Sequence, residues 1–177
     1  LASDAEDTEN YIKGIFESGL CGSTRLREAA EYSLLGGGKR IRAALAIEFC
    51  RMFGGDTKSA LPFAAAIEMI HAFSLVHDDM PCMDNDDMRR GKPSANARWQ
   101  SHKAVILGDY ILAKNMNIGL QSGQFDLVTH VCGSMAALCE GEVLQDECAA
   151  NSTMTRQAYL DIIYKKTARS EEHTSEL

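Results

Sequence analysis

Proline is scarce in this 177-residue chain, with only Pro62, Pro81 and Pro93. Strand-like alternation of apolar and polar residues is almost absent, which argues against a sheet-based fold. Long apolar runs are missing as well. Runs such as residues 43–47 and 104–107 fall far short of the roughly 20 residues that cross a bilayer, so no transmembrane segment is expected. No signal or transit segment is visible, because the first ten residues are acidic and polar. Basic charge is in deficit: 18 Lys and Arg against 25 Asp and Glu give a net −7, so no nucleic-acid partner is expected. Cys21, Cys50, Cys82, Cys132, Cys139 and Cys148 form no CxxC pair and no zinc-type spacing with histidine ligands. A disulfide framework or zinc site is therefore not indicated, and free thiols in a reducing cytoplasm are expected. The chain opens on Leu1 rather than methionine, so a missing or processed amino end is expected.

What the chain does have is ordinary globular material, 45% apolar and 24% charged, at a length that suits one domain with a core. Helical spacing recurs. Leu26, Ala29, Ala30, Ser33 and Leu34 follow an amphipathic pattern. Further helices are predicted over 39–53, ended by Gly54-Gly55, and over 57–79, with Pro62 in the first turn. Others are predicted over 103–120, 124–149 and 156–166, the last preceded by capping-type Ser152, Thr153 and Thr155. No internal repeat or linker interrupts this pattern, so the expectation is one all-α unit.

The chemistry is concentrated between Ser74 and Lys92. Asp78, Asp79, Asp84, Asp86 and Asp87 are followed at once by Arg89 and Arg90. A charge run is usually a solvated face, but here an apolar helix delivers the first two aspartates. Carboxylates so placed repel unless a cation joins them. Magnesium suits these hard oxygen donors, since it takes one or two carboxylates and completes its shell with water and phosphate oxygens. The two arginines offer forked donors to the same phosphates. His71 precedes Asp78 by seven residues and so shares its helix face. The segment Gly36-Gly37-Gly38-Lys39-Arg40-Ile41-Arg42 lets backbone approach an anion just before a helix start. It is not a nucleotide P-loop, because the spacing differs and no strand precedes it. Lys165-Lys166-Thr167 closes a helix and alone carries no functional meaning.

Together these residues resemble the trans-isoprenyl diphosphate synthases. GGKRIR, EMIHAFSLVHDD, the spacing of Asp78, Asp79 and Asp84, and MRRGKPS match that family in order from about residue 32 to residue 167. The resemblance implies an all-α isoprenoid-synthase-type helical bundle with a deep central cavity, in a homodimer. It implies condensation of an allylic diphosphate (dimethylallyl, geranyl or farnesyl) with isopentenyl diphosphate, releasing pyrophosphate. Asp78 and Asp84 would bind Mg2+, with Asp79 as a supporting neighbour. Arg89, Lys166 and Thr167 would hold the allylic diphosphate. Lys39, Arg42, His71 and Arg90 would hold isopentenyl diphosphate, with Arg40 a less certain member. Asp78, Asp84, Arg89 and Lys166 are thus the expected catalytic set.

Phe73 and Ser74 stand five and four residues before Asp78, about 6–8 Å along a helix axis, where a growing chain would meet them. Phe73 with Met80-Pro81 resembles short-chain farnesyl-type enzymes, geranylgeranyl being the near alternative and core packing the plain reading of Phe73. Residues 94–99, 103–110 and 141–145 resemble longer-chain members, as a natural intermediate or a chimera with a seam near Pro93 would. The family's second aspartate-rich motif does not follow Thr167. The expectation is therefore that residues 1–168 are the N-terminal part of one domain, C-terminally truncated and inactive alone. Residues 169–177 resemble a translated sequencing adapter and are expected to be a non-native tail. Two other classes fit less well. A non-catalytic partner subunit of a heteromeric synthase would tend to lose Asp78 and Asp84. A class I terpene cyclase would not need Lys39 and Arg42.

Overall fold

A computed structural model describes residues 2–17, 23–123 and 125–168. The helices are α1 (Ala2–Glu17), α2 (Thr24–Leu34), α3 (Ile41–Met52), α4 (Thr57–Asp78), α5 (Ala95–Trp99), α6 (Ser101–Ser122), α7 (Phe125–Asn151) and α8 (Arg156–Ile163). A single two-stranded hairpin, β1 (Met88–Arg89) and β2 (Lys92–Pro93), sits between α4 and α5. The all-α expectation holds. Two compact units divide the chain, Leu1–Gly123 and Gln124–Leu177, and each is described by itself.

In the first unit α4 is the central element, packed against α6 and α3 with α1 and α2 alongside. Its residues are buried on almost every side, from Ala60 and Phe63 through Met69 to Val76. A helix apolar all round belongs in the middle of a bundle. By length and composition alone α4 would also qualify as a membrane span, but it is mostly buried in this fold, as a core helix is. Asp56 caps it, its carboxylate accepting from Lys58 N at 3.1 Å and Ser59 Oγ at 3.2 Å. Pro62 is the sixth helical residue rather than a first-turn one, so the Lys58 carbonyl loses its usual intrahelical donor.

α1 was not foreseen in the polar amino end. Ile12 and Phe16 are nonetheless 0% and 1% exposed and join Leu34, Met69, Leu107 and Ile111 in the core. The pairs Tyr11-Ile12 and Ile15-Phe16 lie one helical turn apart, an apolar stripe narrow enough to be hidden by the acidic residues around it. α3 begins at Ile41, two residues later than expected, because Arg40 takes a left-handed conformation (φ 49°, ψ 39°) as its N-cap.

In the second unit α8 is shorter than the predicted 156–166 helix. It starts after Thr155, whose Oγ1 accepts from Ala158 N at 3.1 Å, and passes at Tyr164–Ala168 into a π-helical turn carrying Lys165, Lys166 and Thr167. This turn packs on α7 at Gly141, where a Cβ would lie 2.9 Å from Lys166 Cγ and 3.1 Å from Lys165 Cβ. Of the cysteines, Cys148 is buried, Cys50 half-buried and Cys82, Cys132 and Cys139 exposed; all five are free thiols. Cys21 and the 169–177 tail lie outside the described residues.

Candidate diphosphate site

α4 ends at Asp78, and the chain then folds back on that end. Met80 N donates to the His77 carbonyl at 3.1 Å, and Asp84 N donates to the Asp78 carbonyl at 2.8 Å. Asn85 N reaches the Met80 carbonyl at 3.0 Å, with Asn85 in the left-handed region at φ 55°. The loop therefore returns Asp84 to Asp78 through its backbone, leaving the Asp84 side chain exposed and that of Asp78 half-buried. Two hard carboxylates with room for water and phosphate oxygens suit magnesium. Among the described residues no group of three or more His, Cys, Asp or Glu side chains is arranged to hold a metal ion.

Asp79 plays a different part. It is 3% exposed, and its Oδ1 and Oδ2 accept from Arg89 Nε at 3.0 and 3.3 Å while Arg89 Nη2 also reaches Oδ1. Asp79 thus forms a fork that fixes Arg89. The hydrogen bond to Asp79 also holds the Arg89 guanidinium above its ordinary pKa, against the opposing effect of burial.

Arg89 and Arg90 ride on the hairpin. Its two-residue turn, Arg90-Gly91, has φ values of 53° and 75°, the mirror-image geometry that matches strand twist. A non-glycine residue there is strained, and Arg90 is held by donation from its Nη1 to the Gly37 carbonyl. The contact explains Gly38 as well: a Cβ there would lie 2.7 Å from Arg90 Nη1, and its φ of 131° disfavours any side chain. Tyr32 of α2 fastens the other strand, donating from its hydroxyl to the Pro93 carbonyl at 2.8 Å.

These ties bring His71, Asp79, Arg89 and Arg90 to the walls of one cleft with Arg40 and Glu68. His71 is pushed down to about 4, first by burial and then by Arg42, Arg90, Arg89 and Arg40, so it is neutral at physiological pH. Four guanidinium groups near an uncharged imidazole make a site that an anion would complete. Of the two aspartates at the end of α4, Asp79 rather than Asp78 lines this cleft with His71.

The other expected residues fall less uniformly. Lys39 is exposed in the glycine-rich loop, without an ion pair or hydrogen bond among the described residues. Lys166 lies in the second unit, where its Nζ is 2.6 Å from Glu142 Oε1 and 2.9 Å from Gln145 Oε1; Thr167 beside it is exposed. Phe73 packs against the core and stacks edge-on to His77, with ring centroids 4.8 Å apart. Ser74 is buried and donates to the His71 carbonyl at 3.1 Å. His77 in turn fills the space above Gly108 of α6, with its Nε2 3.2 Å from the Val105 carbonyl.

Arg40 is a structural residue more than a free ligand. It is 4% exposed, and its guanidinium contacts Glu9 Oε1 at 2.9 Å, Glu68 Oε2 at 3.5 Å and the Leu34 carbonyl. Glu68 was overlooked in the sequence, although it is the lone acid in the apolar run 63–76. Its Oε1 also accepts from Ala43 N at 3.3 Å, which links α4 to the start of α3.

The first unit is thus an all-helical body that closes arginines and aspartates around one end of a central helix. Comparison with known proteins agrees. The polyprenyl synthetase family signature matches residues 23–177, and the chain belongs to that family. It is 38% identical over 152 residues to the chloroplastic geranylgeranyl pyrophosphate synthase of Capsicum annuum, covering 81% of this chain and 41% of that protein. A short chain isoprenyl diphosphate synthase of Methanothermobacter thermautotrophicus is 37% identical over 147 residues, covering 81% of this chain and 45% of that protein. The crystal structure of a geranyltransferase from Legionella pneumophila superposes with a TM-score of 0.90 at 28% identity, over 99% of this chain and 64% of that one. The chain thus spans less than half the length of these curated relatives.

Proposed function

We propose that this chain carries the substrate-diphosphate end of a short-chain prenyltransferase that joins an allylic diphosphate to isopentenyl diphosphate. The observation that carries the reading is the gathering of Arg42, Arg89 and Arg90 about His71, beside the carboxylate pair Asp78 and Asp84. The names of the matched relatives support it.

Asp78 and Asp84 would hold magnesium, which when bound neutralises charge on the allylic diphosphate as it leaves. Arg89, pre-set by Asp79, reaches the same phosphate group with its remaining donors. Arg42 and Arg90 hold the second diphosphate, and neutral His71 donates one hydrogen bond to it without adding charge. Lys39, on its exposed loop, adds a mobile point charge. Lys166 and Thr167 are assigned to the allylic diphosphate. When the allylic C–O bond breaks, the isopentenyl double bond attacks the allylic carbon and a proton is lost, with pyrophosphate as the leaving group. The apolar face of α4 with Phe73 and Ser74 keeps water from the cation and limits product length, farnesyl and geranylgeranyl being the lengths we propose. A second copy of the chain as partner rests on the resemblance alone. The free thiols suit a reducing compartment such as the cytoplasm.

Calorimetric titration with isopentenyl diphosphate tests the reading. The wild-type chain is expected to bind, and Arg90→Ala to bind at least tenfold more weakly, since two charge-assisted hydrogen bonds are lost. Equal affinities in the two proteins would overturn it.

A further inference from the structure

The first unit contains five strongly buried charged side chains among the described residues: Asp4, Arg40, Glu68, Asp79 and Lys114. Four are paired. Asp4 meets Arg51, Arg40 meets Glu9 and Glu68, and Asp79 meets Arg89. Lys114 of α6 is the exception. It is 8% exposed and has no ion pair, and its Nζ lies 5.7 Å from the Tyr110 ring centroid, near the outer limit of a useful cation–π contact. An ammonium drawn largely out of water without a counter-charge is costly to keep.

Lys114 borders a pocket of about 250 Å³ formed by α1, α4 and α6, away from the arginine cleft. Tyr11 of α1 and Asn117 and Gln121 of α6 also line it. None of the three makes a hydrogen bond among the described residues, so a phenol and two carboxamides have donors to spare. Burial pushes the Tyr11 phenol up, which keeps its proton in place. Ile15, Pro62 and Ile118 supply apolar walls, and no carboxylate lines the space. An ammonium and three neutral donors around a pocket without an acid are complementary to a negatively charged oxygen group.

We propose that this pocket is a second anion site, distinct from the diphosphate cleft, in which Lys114 binds a small oxyanion, a carboxylate or a phosphate. Because Tyr11 and Ile15 come from α1, occupancy ties α1 to α4 and α6. The pocket does not depend on the prenyltransferase reading, since it shares no residue with the arginine cleft.

Thermal unfolding of the full chain in sodium phosphate, acetate and chloride at matched ionic strength provides the test. A rise of about 3 °C over chloride is expected once the anion exceeds its dissociation constant about tenfold. Response to phosphate alone, acetate alone or both assigns the class of oxyanion. The rise should persist in Arg90→Ala and vanish in Lys114→Met. Should Lys114→Met not fold, the Nζ resonance of Lys114 in 15N-labelled wild-type protein, assigned by its loss in Lys114→Arg, should move with the same anion. Absence of any anion-specific effect overturns the proposal. So does a rise that survives Lys114→Met or disappears in Arg90→Ala, or an Nζ resonance that stays still.

Discussion

Glu68 offers the sharpest test of how the cleft is built. Glu68→Leu removes the carboxylate 3.5 Å from Arg40 Nη1 and the acceptor 3.3 Å from Ala43 N. Breaking a buried ion pair costs about 3–5 kcal/mol, and the low end applies because Arg40 keeps Glu9 and the Leu34 carbonyl. The orphaned Ala43 N–H adds about 1 kcal/mol, and the new apolar side chain returns about as much. The expected net loss is about 3 kcal/mol, or roughly 6–12 °C in Tm for a chain of this size. Circular dichroism at 222 nm against temperature, with urea titration for the free energy, measures it. Arg40→Met combined with Glu68→Leu should lose less than Glu68→Leu alone, since no charge is then left buried; Glu9, 39% exposed at its side chain, remains solvated. A Glu68→Leu protein within about 1 kcal/mol of wild type, or a double variant whose losses simply add, would refute the reasoning.

Two further outcomes follow from the same geometry. His71 has a folded-state pKa near 4 against an ordinary 6.5, so between those values the unfolded chain binds the extra proton and stability rises with pH; it is fully recovered above about 6.5. Urea midpoints from pH 4 to 7 should show that slope, reduced in His71→Asn, and an unchanged slope would remove His71 as its source. Gly108→Ala would place a Cβ 2.8 Å from His77 Cε1 and nearer still to its Nε2 and Cδ2. A loss of about 1–3 kcal/mol is expected, with recovery in Gly108→Ala combined with His77→Ala, and a single variant as stable as wild type would contradict the packing.

Much of this was legible in the sequence because it depends on local rules. Helix periodicity located the long helices, and Gly54-Gly55 and Thr155 marked real boundaries. The aspartate and arginine segment stood out through its density of charge. What escaped depends on contacts between distant positions. Nothing near Arg40 says that Glu9 and Glu68 will consume its charge, so it resembled a substrate ligand. The short hairpin has too few residues for a period-2 signal, and its turn glycine was read only as part of a motif. Lys114 looks like any exposed helical lysine until the fold buries it. Asp79 and Asp78 are neighbours in sequence, yet helix rotation gives one a buried position paired with Arg89 and the other a half-open one.

The fastening of the hairpin has a consequence for how this surface tolerates change over generations. Tyr32 and Arg90 both donate to backbone carbonyls, of Pro93 and Gly37, and a carbonyl is present whatever residue occupies the accepting position. The information that joins two stretches of chain far apart in sequence is therefore held by the two donors, with Gly38 required only to stay out of the way. Drift at Pro93 leaves the joint intact, whereas Gly37, at φ 100°, is kept to glycine by its own backbone, and loss of either donor undoes the joint from one side. The segment can thus accept variation on its outer face while the arginines it carries keep their station.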